Sequence, residues 1–314
     1  MRGIITKSTG SWYVVQLQNG EKWRCRVKGK LRLQASPTTN PIAVGDWVEI
    51  DPEQGVQQGI IKGVETRKNY VVRQSPHKRW QLHLIAANLD QAVVVVTLRQ
   101  PAIKLGFIDR FLLTTAAYRI PTVIVFNKAD IYDEFDLQLY AQVREMYEKA
   151  GYSTLLVSAQ TQQGINELRD LLKDKLTLVS GHSGVGKSSL INCIQPNLEL
   201  TTGEISDHTE KGQHTTTFAE MFGLDFGGQI IDTPGIKELA FANMTAQDVA
   251  HNFVEIFETG KNCRFANCMH QNEPFCAVKT AVENGEIGES RYQNYLVILQ
   301  EIAEQEYIKR QRNW

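Results

Sequence analysis

Short runs of alternating apolar and polar residues fill the first 68 positions of the chain, a pattern typical of half-exposed β-strands. The clearest runs lie at 12–17, 22–27, 44–50 and 59–64. The first two flank Asn19-Gly20, a dipeptide that favours a tight hairpin turn. Four or five short strands in so few residues predict a small closed barrel of the OB type, with an SH3-like barrel as the alternative.

The hydrophobic pattern changes after residue 90, where the apolar runs become continuous and alternate with segments of helical spacing. Continuous runs lie at 91–98, 121–126, 153–157 and 176–179, and helical segments at 108–118 and 164–175. Continuous runs indicate parallel strands that are buried on both faces. Their alternation with helices predicts a doubly wound α/β sheet, which binds ligands at the carboxyl ends of its strands.

The last third of the chain predicts a hairpin followed by helices. Strands at 217–224 and 229–231 flank a turn at 225–228, and helical spacing begins near Met244 and ends with a helix over 291–312. The whole pattern predicts a multidomain α/β protein. We expect the barrel at 1–68, the doubly wound domain at 69–243 and a helical domain at 244–314.

Composition narrows the class of protein. The 314 residues are 42% hydrophobic and 22% charged, which is typical of a soluble globular protein. No apolar run approaches the ~20 residues that a membrane span needs, and the N-terminus lacks the apolar segment of a signal peptide. Five cysteines, three of them clustered, do not form the pattern of a secreted disulfide framework. We therefore expect a cytoplasmic protein that does not bind membranes.

Charge is distributed unevenly along the chain. Residues 1–80 carry 14 lysines and arginines against 6 aspartates and glutamates, a net charge of +8, whereas the whole chain has −1. Trp23 alternates with Arg24 and Arg26 in this basic segment. A basic barrel with aromatic residues favours nucleic acid as the partner, and a merely solvated basic surface is the alternative.

A phosphate-binding loop is indicated where the strand at 176–179 leads into the helical segment at 189–194. Glycines let successive N–H groups form a concave anion site at a helix N-terminus. Lys187 would reach the β- and γ-phosphates, and the Ser188 hydroxyl would bind Mg²⁺. The candidate nucleotide-binding residues here are Gly181, His182, Ser183, Gly184, Val185, Gly186, Lys187, Ser188 and Ser189.

Guanine selectivity is indicated by Asn127-Lys128-Ala129-Asp130, which follows the strand at 121–126. The Asp130 carboxylate can accept hydrogen bonds from N1–H and the amine of guanine, and adenine would leave it unpaired. The Asn127 amide suits the acceptor edge of the base, and Lys128 would cover the ring. Ser158 and Ala159, at the end of the next strand, can add a backbone N–H to the guanine oxygen.

Asp232-Thr233-Pro234-Gly235 ends the strand at 229–231. Asp232 would hold Mg²⁺ through water, and the Gly235 N–H would reach the γ-phosphate. The polar segment 212–217 is of the kind that closes over the ion, with Thr216 as the metal-binding threonine and Thr215 as the alternative. An ordinary turn and a threonine-rich strand start would explain the same residues without a metal.

The order of these motifs is a circular permutation of the order in Ras-like GTPases. Those proteins present the phosphate loop first and Asn-Lys-x-Asp last, whereas here Asn127 to Asp130 precede the loop at 181–188. The segment that senses the γ-phosphate, Asp232 to Gly235, is therefore joined directly to the C-terminal domain.

A candidate zinc site lies at Cys263, Cys268, His270 and Cys276, with the spacing Cys-x4-Cys-x-His-x5-Cys. Three thiolates and one imidazole complete a tetrahedral structural site for one zinc ion per chain, with no open position for a catalytic water. Free thiols in a reducing compartment and a redox cluster are the alternatives.

Together, the barrel, the permuted motifs and the cysteine module resemble the bacterial ribosome small-subunit-dependent GTPase A family, also called RsgA or YjeQ, over nearly the whole chain. The resemblance implies GTP hydrolysis with Mg²⁺, binding to the small (30S) ribosomal subunit and its 16S rRNA, and help in late maturation of that subunit. It also implies that GTP hydrolysis is stimulated by the subunit and leads to release. The sequence has no exposed apolar repeat that would indicate oligomerisation, so a monomer is expected.

One position departs from Ras-like chemistry. Ile236 stands where Ras-like proteins carry a water-orienting glutamine, so the isolated protein should hydrolyse GTP slowly. By the resemblance, His214 is a candidate catalytic residue that orients the attacking water once the ribosome orders its loop. A contact with phosphate or rRNA, or simple exposure, is the alternative.

Two other functional classes of protein remain as alternatives. One is an RNA-binding translation factor that nucleotide only regulates. The other is a P-loop kinase or ATPase, against which Asn127 to Asp130 argue.

Overall fold

The computed structural model describes residues 1–27, 41–74, 82–198, 219–233 and 244–312. The N-terminal part is a barrel of five strands in which β1 pairs with both β2 and β4. The strands are β1 (Arg2–Ser8), β2 (Tyr13–Leu17), β3 (Lys22–Val27), β4 (Trp47–Pro52) and β5 (Gln58–Val64). Their order, β1-β2-β3-β5-β4 and back to β1, closes the sheet and confirms the OB-like barrel.

Alternate side chains of these strands fill the barrel, as the period of two requires. Cys25 is fully buried among them, so it is a core residue. Gly59 is required where β5 pairs with β4, because a Cβ atom there would lie 2.7 Å from the Asp51 carbonyl oxygen. The interior is made of Ile5, Tyr13, Val15, Cys25, Val48, Ile50 and Ile61.

A hairpin follows the barrel, in a stretch where the sequence indicated no strand. Its strands are β6 (Tyr70–Gln74) and β7 (Leu82–Ala87), which form a separate antiparallel sheet. Its apolar runs are short and lie among basic residues, although Val71 and Ala86 are fully buried. The Ala87 N–H donates to the Val44 carbonyl at 2.9 Å, which fastens the hairpin to the barrel.

A six-stranded sheet forms the middle of the molecule, in the order β10-β9-β8-β11-β13-β12. All neighbours are parallel except β12, which runs antiparallel to β13. Every residue of β8 and β11 is buried, which confirms the prediction from their continuous apolar runs. The strands are β8 (Gln91–Val96), β9 (Thr122–Phe126), β10 (Ser153–Leu156), β11 (Leu176–Gly181), β12 (Glu220–Gly223) and β13 (Gln229–Asp232).

Helices cover both faces of this sheet, as in a doubly wound fold. One face packs on α1 (Leu105–Ala117) and α2 (Glu134–Lys149), and the other on α3 (Ile165–Leu172) and α4 (Lys187–Ile194). The hydrophobic pattern did not predict α2, because Val143 and Tyr147 are the only apolar residues that this helix buries. A capping box between Asp133 and Asp136 starts that helix.

The barrel and the central sheet are joined edge to edge. Lys7 of β1 pairs with Glu220 of β12, and their side chains form an ion pair at 2.8 Å. β12 begins just after the predicted metal-binding threonines, Thr216 or Thr215. A strand of the barrel is therefore hydrogen-bonded to the strand that follows these threonines.

The C-terminal part is helical, as predicted, with α8 beginning two residues earlier than expected. Its helices are α5 (Ala246–Asn252), α6 (Val254–Gly260), α7 (Ala277–Glu283) and α8 (Glu289–Arg312). Arg291 of α8 donates to Asp109 of α1 at 2.8 Å, which docks this part on the sheet domain, and also to Glu255 of α6 at 2.6 Å. Across the described ranges, no helix is long and apolar enough to cross a membrane.

Candidate nucleotide site and metal centre

The phosphate loop lies between β11 and α4, at the carboxyl edge of the central sheet. Gly184 and Gly186 have φ of +83° and +81°, a backbone conformation that glycine adopts without strain. A Cβ atom on Gly181 would lie 2.5 Å from the Val95 oxygen, and one on Gly186 would lie 2.6 Å from the Asn127 Nδ2 atom. The glycines thus permit a tight turn, and Ser183 in this turn is exposed.

Asn127 joins the base-recognition segment to the phosphate loop. Its Nδ2 donates to the Val185 carbonyl at 2.9 Å, and its Oδ1 accepts the Ala159 N–H at 3.3 Å. We predicted that this amide and this N–H would face the base, but in the structure they bond to each other and to the loop. The buried amide therefore sets the spacing between the segment that reads the base and the loop that holds phosphate.

The other base-recognition residues meet at the ends of β9 and β10. Asp130 is exposed, and it accepts a hydrogen bond from the Ser158 hydroxyl at 2.5 Å. Lys128 has φ of +68°, and its ammonium donates to the Gln100 carbonyl at 2.6 Å. An exposed carboxylate beside a lysine side chain is suited to a flat base that offers N–H donors.

Lys187 begins α4 and faces Asp232, the last residue of β13, which is the strand next to β11. The Lys187 ammonium forms a short ion pair with Asp232 and donates to the Thr233 carbonyl at 2.9 Å. Both side chains are mostly buried. The site therefore holds an ammonium that can bind phosphate oxygens and a carboxylate of the kind that Mg²⁺ prefers.

Ser188 and Ser189 lie in the first turn of α4, where Ser188 is half-buried and Ser189 is exposed. The remaining residues of the predicted site fall outside the described residues. These are Thr215, Thr216, His214, Gly235 and Ile236.

The four predicted zinc ligands come together between α6 and α7. Their ligand atoms lie within 4.8 Å of one another. The His270 Nδ1 atom is 3.3 Å from the Cys276 sulfur and 3.6 Å from the Cys263 sulfur, and these two sulfurs are 3.9 Å apart. Three sulfurs and one imidazole nitrogen this close fit a tetrahedral metal ion, so the donor set agrees with the prediction.

Three residues that no sequence motif indicates stabilise the loop between α6 and α7 that carries the metal ligands. The Glu273 carboxylate accepts the N–H groups of Met269 and Gln271, each at 2.8 Å. Tyr292 and Tyr295 of α8 donate their hydroxyls to the carbonyls of His270 and Met269, at 2.6 and 3.0 Å. No motif in the sequence signals these contacts, because α8 lies about twenty residues further along the chain.

Burial also favours metal binding at His270. It lowers the pKa of that imidazole, so the neutral form that binds metals is favoured. Burial raises the pKa of the Cys276 thiol, which favours the neutral thiol over the thiolate in the absence of a cation.

Comparison with known proteins supports this arrangement over the length of the chain. Residues 2–61 match the family model described as the RsgA N-terminal domain, and residues 64–242 match the one described as RsgA GTPase. The second match covers more than half of the chain. The chain belongs to the RsgA GTPase family.

Relatives in this family are similar to the chain from end to end. "Small ribosomal subunit biogenesis GTPase RsgA" of Flavobacterium psychrophilum is 48% identical over 304 residues, which are 96% of this chain and 93% of the relative. The protein of the same name from Bacteroides fragilis is 47% identical over 307 residues, 98% of this chain and 99% of the relative.

Two solved structures are similar in fold. YjeQ from Thermotoga maritima has a TM-score of 0.78 and 38% identity, with 96% of this chain and 98% of that chain covered. YloQ, described as a circularly permuted GTPase, has a TM-score of 0.73 and 29% identity over 97% and 95% of the two chains. Membership in the RsgA GTPase family makes the chain a GTP hydrolase, and its permuted order of motifs agrees with these structures.

Proposed function

We propose that the protein binds the small ribosomal subunit, assists its late maturation and hydrolyses GTP to GDP and phosphate at a rate that the subunit raises. The names of its relatives support ribosome biogenesis as the process. The contacts of the Asn127 side chain carry the GTP-binding part of this proposal. This buried side chain lies between the exposed Asp130 carboxylate and the phosphate loop and sets the spacing between them.

The residues divide into those that bind the base, those that bind phosphate and those that bind the metal. Asp130 reads the guanine N–H groups, Lys128 covers the ring, and Ser158 and Ala159 position this segment. The N–H groups of 181–189 and the Lys187 ammonium bind the phosphates, with the Gly235 N–H at the γ-phosphate. A bound Mg²⁺ supplies positive charge at the transferring phosphate, and Ser188, Thr216 and Asp232 would hold it.

Lys187 and Asp232 form a pair that GTP would have to separate. The ammonium bonds to Asp232, and the oxygens of a bound phosphate would offer it other charged acceptors. If the ammonium turned to them, the Asp232 carboxylate would be free to hold Mg²⁺. Asp232 leads directly into the segment before the C-terminal helices. A change of partner at Asp232 would therefore couple nucleotide binding to the C-terminal domain.

We assign RNA binding to the barrel, zinc binding to the C-terminal module and the division into domains at 1–68, 69–243 and 244–314. On the barrel, the Arg24 and Arg26 guanidiniums lie 4.9 and 6.0 Å from the Trp12 ring centroid, so cations and an aromatic ring share one surface. This combination suits 16S rRNA. We also propose one structural zinc ion per chain, a cytoplasmic location and a monomeric state. GTP and GDP are the proposed bound nucleotides.

Co-sedimentation tests the partner. The zinc-loaded protein would be mixed with purified small or large ribosomal subunits in the presence of GDP or a non-hydrolysable GTP analogue. We expect binding to small subunits with the analogue, weaker binding with GDP, and little binding to large subunits. Equal binding to both subunits would reject the proposed partner. Tight, nucleotide-dependent binding without any rise in turnover would favour the alternative, an RNA-binding factor that nucleotide regulates.

His214 is proposed to orient the attacking water, because Ile236 cannot. The His214→Ala protein should bind GTP normally and lose most of the turnover on small subunits, a loss of about 10²–10⁴-fold for a general base. Unchanged turnover would remove His214 from the reaction.

A further inference from the structure

The Tyr132 hydroxyl lies where the base-recognition segment meets the loop between β8 and α1. It donates to the Asn127 carbonyl at 2.6 Å and accepts the Leu98 N–H at 2.9 Å. Burial raises the pKa of this hydroxyl to about 12, so at neutral pH it keeps the proton that it donates. One hydroxyl therefore joins the first residue of the base-recognition segment to a loop outside the nucleotide motifs.

The backbone of Tyr132 closes the turn that carries Asp130. This turn is the short 3-10 helix Ala129–Ile131, and the Tyr132 N–H donates to the Ala129 carbonyl at its start, at 3.3 Å. The side chain then folds back to the Asn127 carbonyl. The base-recognition segment is thus closed on itself, with Asp130 at its centre.

The loop on the other side of this hydroxyl, residues 97–101, lies against both parts of the nucleotide site. Its Gln100 carbonyl accepts a hydrogen bond from the Lys128 ammonium at 2.6 Å. A Cβ atom placed on Gly184 of the phosphate loop would lie 3.7 Å from the Pro101 Cδ atom, which is ordinary van der Waals contact. The position of this loop therefore sets the direction of the lysine that is expected to cover the base.

A second link between the same loop and the base-recognition side is more exposed. Arg99 pairs with Asp133 and Asp136, each at 2.6 Å, but the Arg99 and Asp133 side chains are 41% and 49% exposed. Solvent weakens such pairs. Loss of the Tyr132 hydroxyl, by contrast, would deprive the N–H of the buried Leu98 of its acceptor, and that costs more. The hydroxyl is therefore the stronger of the two links.

We propose that Tyr132 is a positioning residue for guanine recognition, whose hydroxyl holds the Asp130 carboxylate and the Lys128 side chain in the geometry that selects a base with a 2-amine. Tyr132 acts through these two residues and not by contact with the nucleotide. The proposal rests on the proposed function, because it takes Asp130 as the residue that binds the guanine N–H groups. It adds a residue outside the Asn-Lys-x-Asp motif to those that determine base specificity.

The test compares GDP with IDP, which differs from GDP only in lacking the 2-amine of the base. Their dissociation constants are measured by calorimetry on the full-length, zinc-loaded protein with Mg²⁺. Tyr132→Phe removes the hydroxyl and keeps the ring. Tyr118→Phe is the matched control, because burial raises the pKa of that hydroxyl to about 12 as well. Tyr118 follows the last residue of α1, away from the edge of the sheet that carries the nucleotide motifs.

We expect the wild-type protein to bind GDP about tenfold or more tightly than IDP, because the amine donates to a charged acceptor. In Tyr132→Phe, GDP affinity should fall about fivefold or more, and the preference for GDP over IDP should shrink about threefold or more. A loss of stability alone would weaken both ligands equally, so a change in their ratio reports positioning. Tyr118→Phe should keep both the affinity and the ratio.

Unchanged GDP affinity in Tyr132→Phe, or equal weakening of GDP and IDP, would overturn the proposal. An equal loss of preference in Tyr118→Phe would also overturn it, because the effect would then not belong to the Tyr132 hydroxyl. The wild-type protein separates this proposal from the proposed function. If the wild type shows no preference for GDP, guanine recognition by Asp130 fails and the role of Tyr132 fails with it. A wild-type preference that Tyr132→Phe retains rejects the positioning role alone.

Discussion

Replacing Arg291 with methionine tests how the C-terminal helices are held on the GTPase domain. Arg291 is 1% exposed, and it donates to Asp109 at 2.8 Å and to Glu255 at 2.6 and 2.8 Å. Methionine fills a similar space without charge, so among the described residues Tyr147 and Asn294 would be left as hydrogen-bond donors to the fully buried Asp109. Removal of one partner of a buried ion pair costs about 3–5 kcal/mol.

Arg110 supplies the matched control, because it joins the same two helices. Its guanidinium bonds to Glu301 of α8 at 2.6 and 2.5 Å, but the two side chains are 34% and 38% exposed. Solvent screens such a pair, so Arg110→Met should cost no more than about 1 kcal/mol. Adding Asp109→Asn to Arg291→Met should recover part of the loss, because the unpaired charge is then gone.

Acidic pH should also reduce the loss in Arg291→Met. Burial raises the pKa of the Asp109 carboxyl, and Arg291 opposes that rise. Without Arg291 the folded-state pKa is higher still, so the folded variant binds a proton that the unfolded chain has released. Its stability therefore falls as the pH rises above the ordinary aspartate pKa and through the raised one, and the deficit should be smaller near about pH 5 than near about pH 8.

Native-state hydrogen exchange of α8 amides, at fixed zinc and GDP concentrations, measures the local free energy of opening in each variant. We expect a large loss of protection in Arg291→Met and a small one in Arg110→Met. A loss below about 1 kcal/mol in Arg291→Met, or equal losses in the two variants, would show that the buried pair does not hold α8 in place.

Three further substitutions test separate parts of the site. Asn127→Ala leaves the Val185 carbonyl without its donor, so GTP affinity by calorimetry should fall about tenfold or more; normal affinity would contradict the bridging role. Asp130→Asn replaces an acceptor with a donor, and competition binding should show a large loss for GTP and a preference for xanthosine triphosphate, which carries a carbonyl where guanine has an amine. Cys276→Ser should reduce bound zinc, measured by atomic absorption, well below one per chain, whereas Cys193→Ser outside the cluster should retain it.

The sequence was sufficient to predict the elements whose signal is local. The continuous apolar runs predicted buried strands, and Asn19-Gly20 lies in the turn between β2 and β3 as expected. The nucleotide motifs could be located because each follows a strand, and parallel strands bring their carboxyl ends to one edge. The four metal ligands lie within fourteen residues, so their spacing alone was informative.

Features that depend on distant partners could not be predicted. Asn127 contacts a loop 58 residues away, and nothing in its motif distinguishes bonding to that loop from bonding to the base. Arg291 looks like an exposed arginine on a helix until Asp109, 182 residues earlier, is placed beside it. The hairpin β6–β7 was missed because basic residues surround its short apolar runs, and helix α2 was missed because it buries few apolar residues. The domain limits and the roles of the site residues stay predictions.

The decisive measurement is GTP turnover by the purified, zinc-loaded protein, alone and with purified small or large subunits. We expect slow turnover by the isolated protein, a large increase with small subunits and little change with large ones. Loss of that increase in Asp130→Asn with GTP as substrate would assign the increase to the nucleotide site. Turnover that is unchanged by small subunits, while GTP and the subunits both bind tightly, would rule out a GTPase that the subunit stimulates.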